Sequence, residues 1–257
     1  MIEYEIESVD QFHKFFRGYR SHDGFGAWFR GQADSEWALL PKAGREDYLL
    51  PHNRDLGRFR EWLSTALAYE TLPDDFLESL ALSQHHGLAT RLLDWSKNPL
   101  VAAFFAVSEN SEKNGALYIL ECPDDFFVPG LDVEELSNYD GVRGYIPRAI
   151  TGRILNQQAL FTVHCPPERG IEVCGSRINN SEPNLRRMVI PASLKGEILD
   201  MLNDYGIAEN TIYPSLDGLS DAVNRKTKRI SQRARNRLGE TAHGQANVSV
   251  SGLSELS

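Results

Sequence analysis

The run LVAAFFAV at residues 100–107 is apolar on almost every side of the helix it predicts, and this constrains the fold more than any other stretch. A helix without a polar face cannot lie on a surface; it has to be covered on all sides. Asn98 and Pro99 fix where it begins, as an N-cap side chain followed by a proline at the first helical position. Its start therefore delivers residues 94–98 close to the core. A chain of 257 residues, 41% hydrophobic and 10% aromatic, has enough apolar material to build that cover.

The covering layers are legible as strands and further helices. IEYEI at residues 2–6 alternates like a half-buried strand, GALYIL at 115–120 forms another, and LFTVH around Phe161 and LRRMVI around Met188 add two. FGAWFRGQ at 25–32 crowds aromatics and Ala ahead of a charged residue and a glycine, so a buried strand is expected with Arg30 at its end. Ser8 and Gln11 have the spacing of a capping box, and Val9, Phe12, Phe15, Phe16 and Tyr19 recur on one helical face. The Arg17-Gly18 pair thus belongs to a helix end. Further helices are expected at about 56–69, 74–86 (stopped by Gly87), 194–204 (closed near Gly206) and 216–228. The fold class this predicts is α+β, a mostly antiparallel or mixed central sheet flanked by helices. Residues 1–24 form an N-terminal strand and helix that pack on the core, residues 25–230 a main domain, and residues 231–257 a basic and then Gly/Ser-rich disordered tail.

Charge and cysteine content narrow the function classes. The net charge is −9, from 27 basic and 36 acidic residues, and seven of the basic ones fall within residues 225–237 with no acidic neighbour. The remainder carries 20 basic against 36 acidic residues, a net of −16, which repels a phosphate backbone. Segment 225–237 itself reads either as an arm for nucleic acid or an acidic partner, or as a solvated helix extension. Cys122, Cys165 and Cys174 form no CxxC pair, and the acidic opening residues differ from a signal peptide; no stretch is apolar enough to span a membrane. A cytoplasmic protein without membrane attachment is expected. No metal site is expected either, since HxxxH and HExxH spacings are missing and His164 and Cys165, adjacent on a strand, point to opposite faces. Hydrolase elbow, P-loop and dinucleotide fingerprints are likewise missing.

Two constellations remain that carry chemistry. Arg30 beside Gly31 presents a rigid guanidinium fork suited to phosphate or carboxylate, the alternative being a buried pair with an Asp such as Asp94. Gln84, His85 and His86 at a helix end, with Thr90, Arg91, Asp94 and Trp95 on the loop expected after it, place a base, a hydroxyl, a cation, a carboxylate and an aromatic platform within twelve residues. One of the two histidines faces inward, or both serve only to cap the helix.

WFRGQ at 28–32, Trp37 with Pro41, LALSQHHGLATRLLDWSKNPLVAAFFA at 80–106, GALYIL, RILNQQALFTVH at 153–164 and TIYPSLDGL at 211–219 occur in the order found in FRG domains. The chain resembles that family over most of residues 25–230. The resemblance implies a bacterial or phage-associated protein of the kind found near mobile or defence genes, and it implies no particular reaction. One departure is Ala159, which stands where the pattern Arg153-x3-Gln157-x-Gly-x-Phe161 has glycine.

A fainter likeness is to ADP-ribosyltransferases of the Arg-Ser-Glu type, in which an aromatic-Arg-Gly strand grips the NAD phosphates. WFRG resembles that strand. ATRLLDWSKNPLVAAFFA is similar in layout to the hydroxyl-bearing strand and its following helix, with Thr90 or Ser96 near the hydroxyl position, and QQALFTV looks like the late acidic turn with Gln157 in place of glutamate. The likeness implies a split sheet and NAD as substrate, with Arg30 on the pyrophosphate, Trp95 or Phe161 stacked on a base, and Gln157 on a ribose. Gln32, Arg91, Ser96 and Arg153 complete the expected ligand-binding set around Gly31 and Thr90. Catalytic roles fall to Arg30, Asp94, His86 and Gln157. A glutamine cannot act as a general base, so Asp94 is the carboxylate left to do so. The other readings are a non-catalytic ligand-sensing or protein-binding module, and a nuclease or phosphotransferase.

Overall fold

The computed structural model describes residues 2–17, 26–52, 54–122, 126–127, 133–148, 156–171 and 184–213, with short stretches between 216 and 235. The chain divides into two compact units, Met1–Ile207 and Ala208–Ser257.

The first unit is α+β. Its strands are β1 (Ile2–Glu5), β2 (Ala27–Gln32), β3 (Leu92–Ser96), β4 (Gly115–Glu121), β5 (Gly141–Tyr145), β6 (Ala159–Cys165) and β7 (Asn184–Ile190). They form one mixed seven-stranded sheet in the order β1-β7-β4-β2-β3-β6-β5. Only β1, which pairs with β7, lies parallel to its neighbour; the other neighbours run antiparallel. The helices are α1 (Val9–Arg17), α2 (Arg54–Ala66), α3 (Phe76–His85), α4 (Pro99–Val107), α5 (Val133–Asn138) and α6 (Ala192–Asp204).

The apolar run behaves as its composition demands. Asn98 caps α4, its Oδ1 accepting from Leu100 N at 2.9 Å, and Val101, Ala102, Ala103, Phe104, Ala106 and Val107 are buried. The helix lies so close to the sheet that two glycines are obligatory beneath it. A Cβ on Gly31 would fall 1.9 Å from the Ala102 carbonyl oxygen, and one on Gly115 would fall 2.3 Å from that of Ala106. Helices α2 and α3 cover another part of the sheet, where Phe59, Leu77, Leu80 and Ala81 meet Leu92, Phe161, Val163 and Tyr145. Trp28, Leu93, Trp95, Tyr118 and Leu160 form a separate cluster.

The expected strands at 2–6, 25–32, 115–120, 161 and 188 are all present, as are the expected helices of this unit. Asp75 caps α3 by accepting from Glu78 N at 2.9 Å, and Gly87, with φ +95°, ends it. The capping box at α1 is shifted by one residue: Gln11 N donates to Ser8 Oγ at 3.3 Å, but the Gln11 side chain accepts from Glu7 N at 2.8 Å. Three expectations need correction. The segment 92–96, read as loop, is strand β3, and its ladder partner is β6, which lies more than 60 residues on in sequence. Arg30 is not at the end of β2, which pairs with β4 as far as Gln32↔Ala116. The sheet is not divided in two, because β2 and β3 meet at the single register pair Phe29↔Ser96. Ala159 sits in β6, and the positive φ, +47°, falls on Gln158 instead.

In the second unit, α7 (Glu209–Ile212) is followed by described residues between 216 and 235 that are all helical and exposed, Leu216, Leu219, Val223 and Ile230 among them. Of the tail expected to be disordered at 231–257, Ser231, Ala234 and Arg235 are described and are helical and exposed, and the rest lies outside the described residues. Among those described, no helix is long and apolar enough to cross a membrane.

Candidate functional site

The place where β2 and β3 part company organises the site. An antiparallel ladder through Phe29↔Ser96 would go on to pair Arg30 with Trp95 and Gly31 with Asp94, and it does not. The Asp94 carbonyl is satisfied instead by Arg30, whose Nη1 donates to it at 2.7 Å while lying 3.7 Å from Asp94 Oδ2. The guanidinium thus spans a seam in the sheet. Arg30 is largely buried, its side chain 13% exposed, whereas the Asp94 side chain is 56% exposed although it lies mid-strand. The seam is therefore open on the Asp94 side. Burial lowers the Arg30 pKa; the Asp94 charge opposes this and the Arg45 charge adds to it. Arg30 Nε is buried and has no hydrogen-bond partner among the described residues.

Asp94 is held by a chain of side chains from α3 and the entry to β3. Leu92 N donates to Thr90 Oγ1 at 3.1 Å, Thr90 Oγ1 donates to Gln84 Oε1, and Gln84 Nε2 donates to Asp94 Oδ1 at 2.7 Å. The alignment arises because α3 ends at His85, which leaves Gln84 in its last turn. Arg45 is brought near by the segment that follows β2. Ala43 N bonds Thr90 O at 3.1 Å and Gln32 Nε2 bonds Ala38 O at 3.3 Å, while Arg45 Nε itself donates to Leu40 O at 3.3 Å.

At the paired end of the seam, Ser96 Oγ donates to the Gln157 carbonyl at 2.6 Å and accepts from Asn98 N at 3.0 Å. Lys97 N reaches Gln158 O at 3.1 Å, so the turn before β6 is stapled to the end of β3. Gln157 is 9% exposed, and its Nε2 is buried without a partner among the described residues. Arg30, Asp94, Ser96 and Gln157 thus belong to one neighbourhood, to which Thr90 and Gln84 are joined by hydrogen bonds.

Other expected residues lie elsewhere. Arg91 is fully buried and binds Asp55 through two contacts, Nε to Oδ2 at 2.8 Å and Nη2 to Oδ1 at 2.7 Å, with Cys165 Sγ 3.5 Å from Nη1. Trp95 is buried, its Nε1 donating to Thr162 Oγ1 at 3.0 Å, and Phe161 is buried against Tyr145 at 6.4 Å between ring centroids. Neither offers an open ring face. His86 is exposed and stacks on Trp62 at 6.5 Å between ring centroids. Gly31 faces α4, so its missing Cβ admits a helix. Arg153 and Cys174 lie outside the described residues, and among those described no group of three or more His, Cys, Asp or Glu is placed to hold a metal.

Sequence reasoning named Gln84 with the helix-end constellation but had no signal for its partner, and it missed Arg45 altogether. Arg45 lies in a polar stretch with no periodicity, and only the anchoring of 38–45 to β2 and β3 brings it here.

No curated protein matches this chain, and no solved structure does. Residues 26–115, which include β2, α2, α3, β3 and α4, match the family model of the FRG domain. The strands β5, β6 and β7 lie beyond the match but complete the same sheet. The seam between β2 and β3 is thus internal to the segment that is similar to the FRG domain family.

Proposed function

We propose that the seam binds NAD and that the protein is an ADP-ribosyltransferase-like effector of the bacterial cytoplasm, in a defence or toxin setting. The observation that carries this reading is Arg30 bridging a break in the sheet directly beside an exposed carboxylate, Asp94. A buried arginine with one long ion pair is poorly compensated, and an incoming pyrophosphate supplies the missing negative charge. Arg45 lies close enough for its charge to add to that of Arg30. In the transfer, the bond from ribose C1′ to nicotinamide breaks, a bond from C1′ to an acceptor oxygen or nitrogen forms, and the acceptor's proton passes to Asp94. Ser96 fixes the Gln157 backbone, which leaves the unpartnered Gln157 amide to orient a ribose hydroxyl. The domain is taken to extend over residues 25–230, with segment 225–237 as an arm for an acidic partner or nucleic acid.

The test is incubation with NAD labelled in its adenylate half and a cell lysate, together with calorimetric titration of NAD. Label on protein or nucleic acid, lost in Arg30→Ala and in Asp94→Asn, is the expected result. A second reading, a ligand-sensing module without catalysis, is favoured by Gln157, whose amide cannot accept a proton as a base. NAD binding with no label transfer selects it. The absence of both binding and transfer refutes the NAD reading altogether.

A further inference from the structure

The hydrogen bonds around Asp94 have a direction that can be assigned by elimination. A carboxylate oxygen only accepts, so the Gln84 atom that faces Asp94 Oδ1 at 2.7 Å is the NH2. The Gln84 carbonyl oxygen is thereby left to Thr90 Oγ1, which accepts from Leu92 N–H and gives its own proton to that oxygen. The order cannot be reversed without losing a bond. Thr90 is buried and carries no link to Arg30 of its own, so its hydroxyl acts through Gln84.

We infer that Thr90 and Gln84 are positioning residues that hold the Asp94 carboxylate in one orientation, with Oδ1 engaged and Oδ2 turned to the seam beside Arg30. Residing on this are both the polarity and the ligand chemistry of the site. A carboxylate oxygen that only accepts, next to a guanidinium that only donates, suits a ligand in which a hydroxyl donor neighbours an anionic oxygen. Were the Gln84 amide reversed, its oxygen would face the carboxylate, and the two acceptors would drive Asp94 away from Oδ1 contact. The inference rests on the NAD reading for the identity of the ligand, but the relay itself does not.

Two measurements separate these levels. The first needs no ligand: the Gln84 side-chain NH2 gives a pair of slowly exchanging, well-dispersed amide signals in a 15N-labelled sample. Thr90→Val collapses that pair, Thr90→Ser preserves it, and Asp94→Asn shifts it. The second is NAD affinity and turnover, with thermal melts to confirm folding. Thr90→Val and Gln84→Leu lower them about tenfold, as expected for one misplaced hydrogen-bonding group, and Thr90→Ser retains them. Thr90→Ser failing as badly as Thr90→Val, or Thr90→Val leaving the Gln84 signals and NAD handling unchanged, overturns the inference. Should the wild-type protein ignore NAD while the Gln84 signals respond as stated, the NAD reading falls and the relay stands.

Discussion

Arg91 offers the sharpest test of how the fold uses its charges, because sequence alone placed it with the ligand and the structure encloses it with Asp55. The Arg91 and Asp55 side chains are 0% and 4% exposed, joined by two bonds of 2.7 and 2.8 Å that tie the first turn of α2 to the entry of β3. Arg91→Met retains most of the apolar stem but leaves Asp55 buried without its cation. Breaking a buried pair in this way costs roughly 3–5 kcal/mol, a large part of the 5–15 kcal/mol that a domain typically has. Asp55→Leu alone should cost a similar amount by stranding the guanidinium. The double variant Arg91→Met/Asp55→Leu removes both charges and is expected within about 1–2 kcal/mol of wild type, giving a coupling energy of at least about 4 kcal/mol. Urea unfolding followed by tryptophan fluorescence measures all four proteins, with equal m-values as the check that the folded state is the same. If Arg91→Met is neutral within about 0.5 kcal/mol but abolishes ligand binding, the structural role assigned to this pair is wrong and Arg91 returns to the ligand.

Two further outcomes follow from single positions. His164 is enclosed, Nδ1 donating to Arg169 O at 2.6 Å and Nε2 accepting from Thr162 Oγ1 at 2.8 Å, and burial lowers its pKa from 6.5 to about 4, against the Arg169 bond that raises it and with a smaller push from the Arg30 charge. The unfolded chain therefore takes up the proton first: this contribution is intact above about pH 6.5 and is lost as pH falls toward 4, amounting to roughly 2 kcal/mol by pH 5. The difference between wild type and His164→Gln in urea midpoint, measured at pH 7 and pH 5, should shrink accordingly; a constant difference contradicts it. Gly31→Ala forces a Cβ against the Ala102 carbonyl and should cost about 2–3 kcal/mol or more. Gly57→Ala, at the fourth residue of α2 with nothing within 4 Å of the new Cβ, should gain up to about 1 kcal/mol, and equal effects at the two sites would discredit the packing argument for Gly31.

Local chemistry was readable where it decides local structure. Asn98-Pro99, Gly87 and Gly206 bound their helices as their residue types require, and the strand at 27–32 follows from its aromatics. The failures share a cause in partners distant along the chain. Residues 92–96 read as loop because a carboxylate sits in their middle, and only the break in pairing with β2 lets that carboxylate reach solvent. Arg91 read as a ligand residue because helix α2 was expected from residue 56. It begins at Arg54, which puts Asp55 in the first turn, facing inward. Trp95 read as a stacking platform because nothing local reveals that Thr162, two strand positions from Leu160, awaits its indole N–H.

The seam also explains why one strand holds both an obligatory glycine and a catalytic candidate. Successive residues of β2 point to opposite faces, so Gly31 serves the α4 side and Arg30 the other. The close approach of α4, which Gly31 permits, also fixes Asn98 and Ser96 at the helix entrance, and Ser96 is the residue that pairs with Phe29 and secures Gln157. Packing on one face thus sets where the ladder stops, and the point at which it stops sets where Arg30 meets Asp94. A substitution at Gly31 that displaces α4 should therefore disturb the site without touching any group in it, so its effect on ligand binding ought to exceed that of an equally destabilising change at Gly115, which lies under the same helix but on β4.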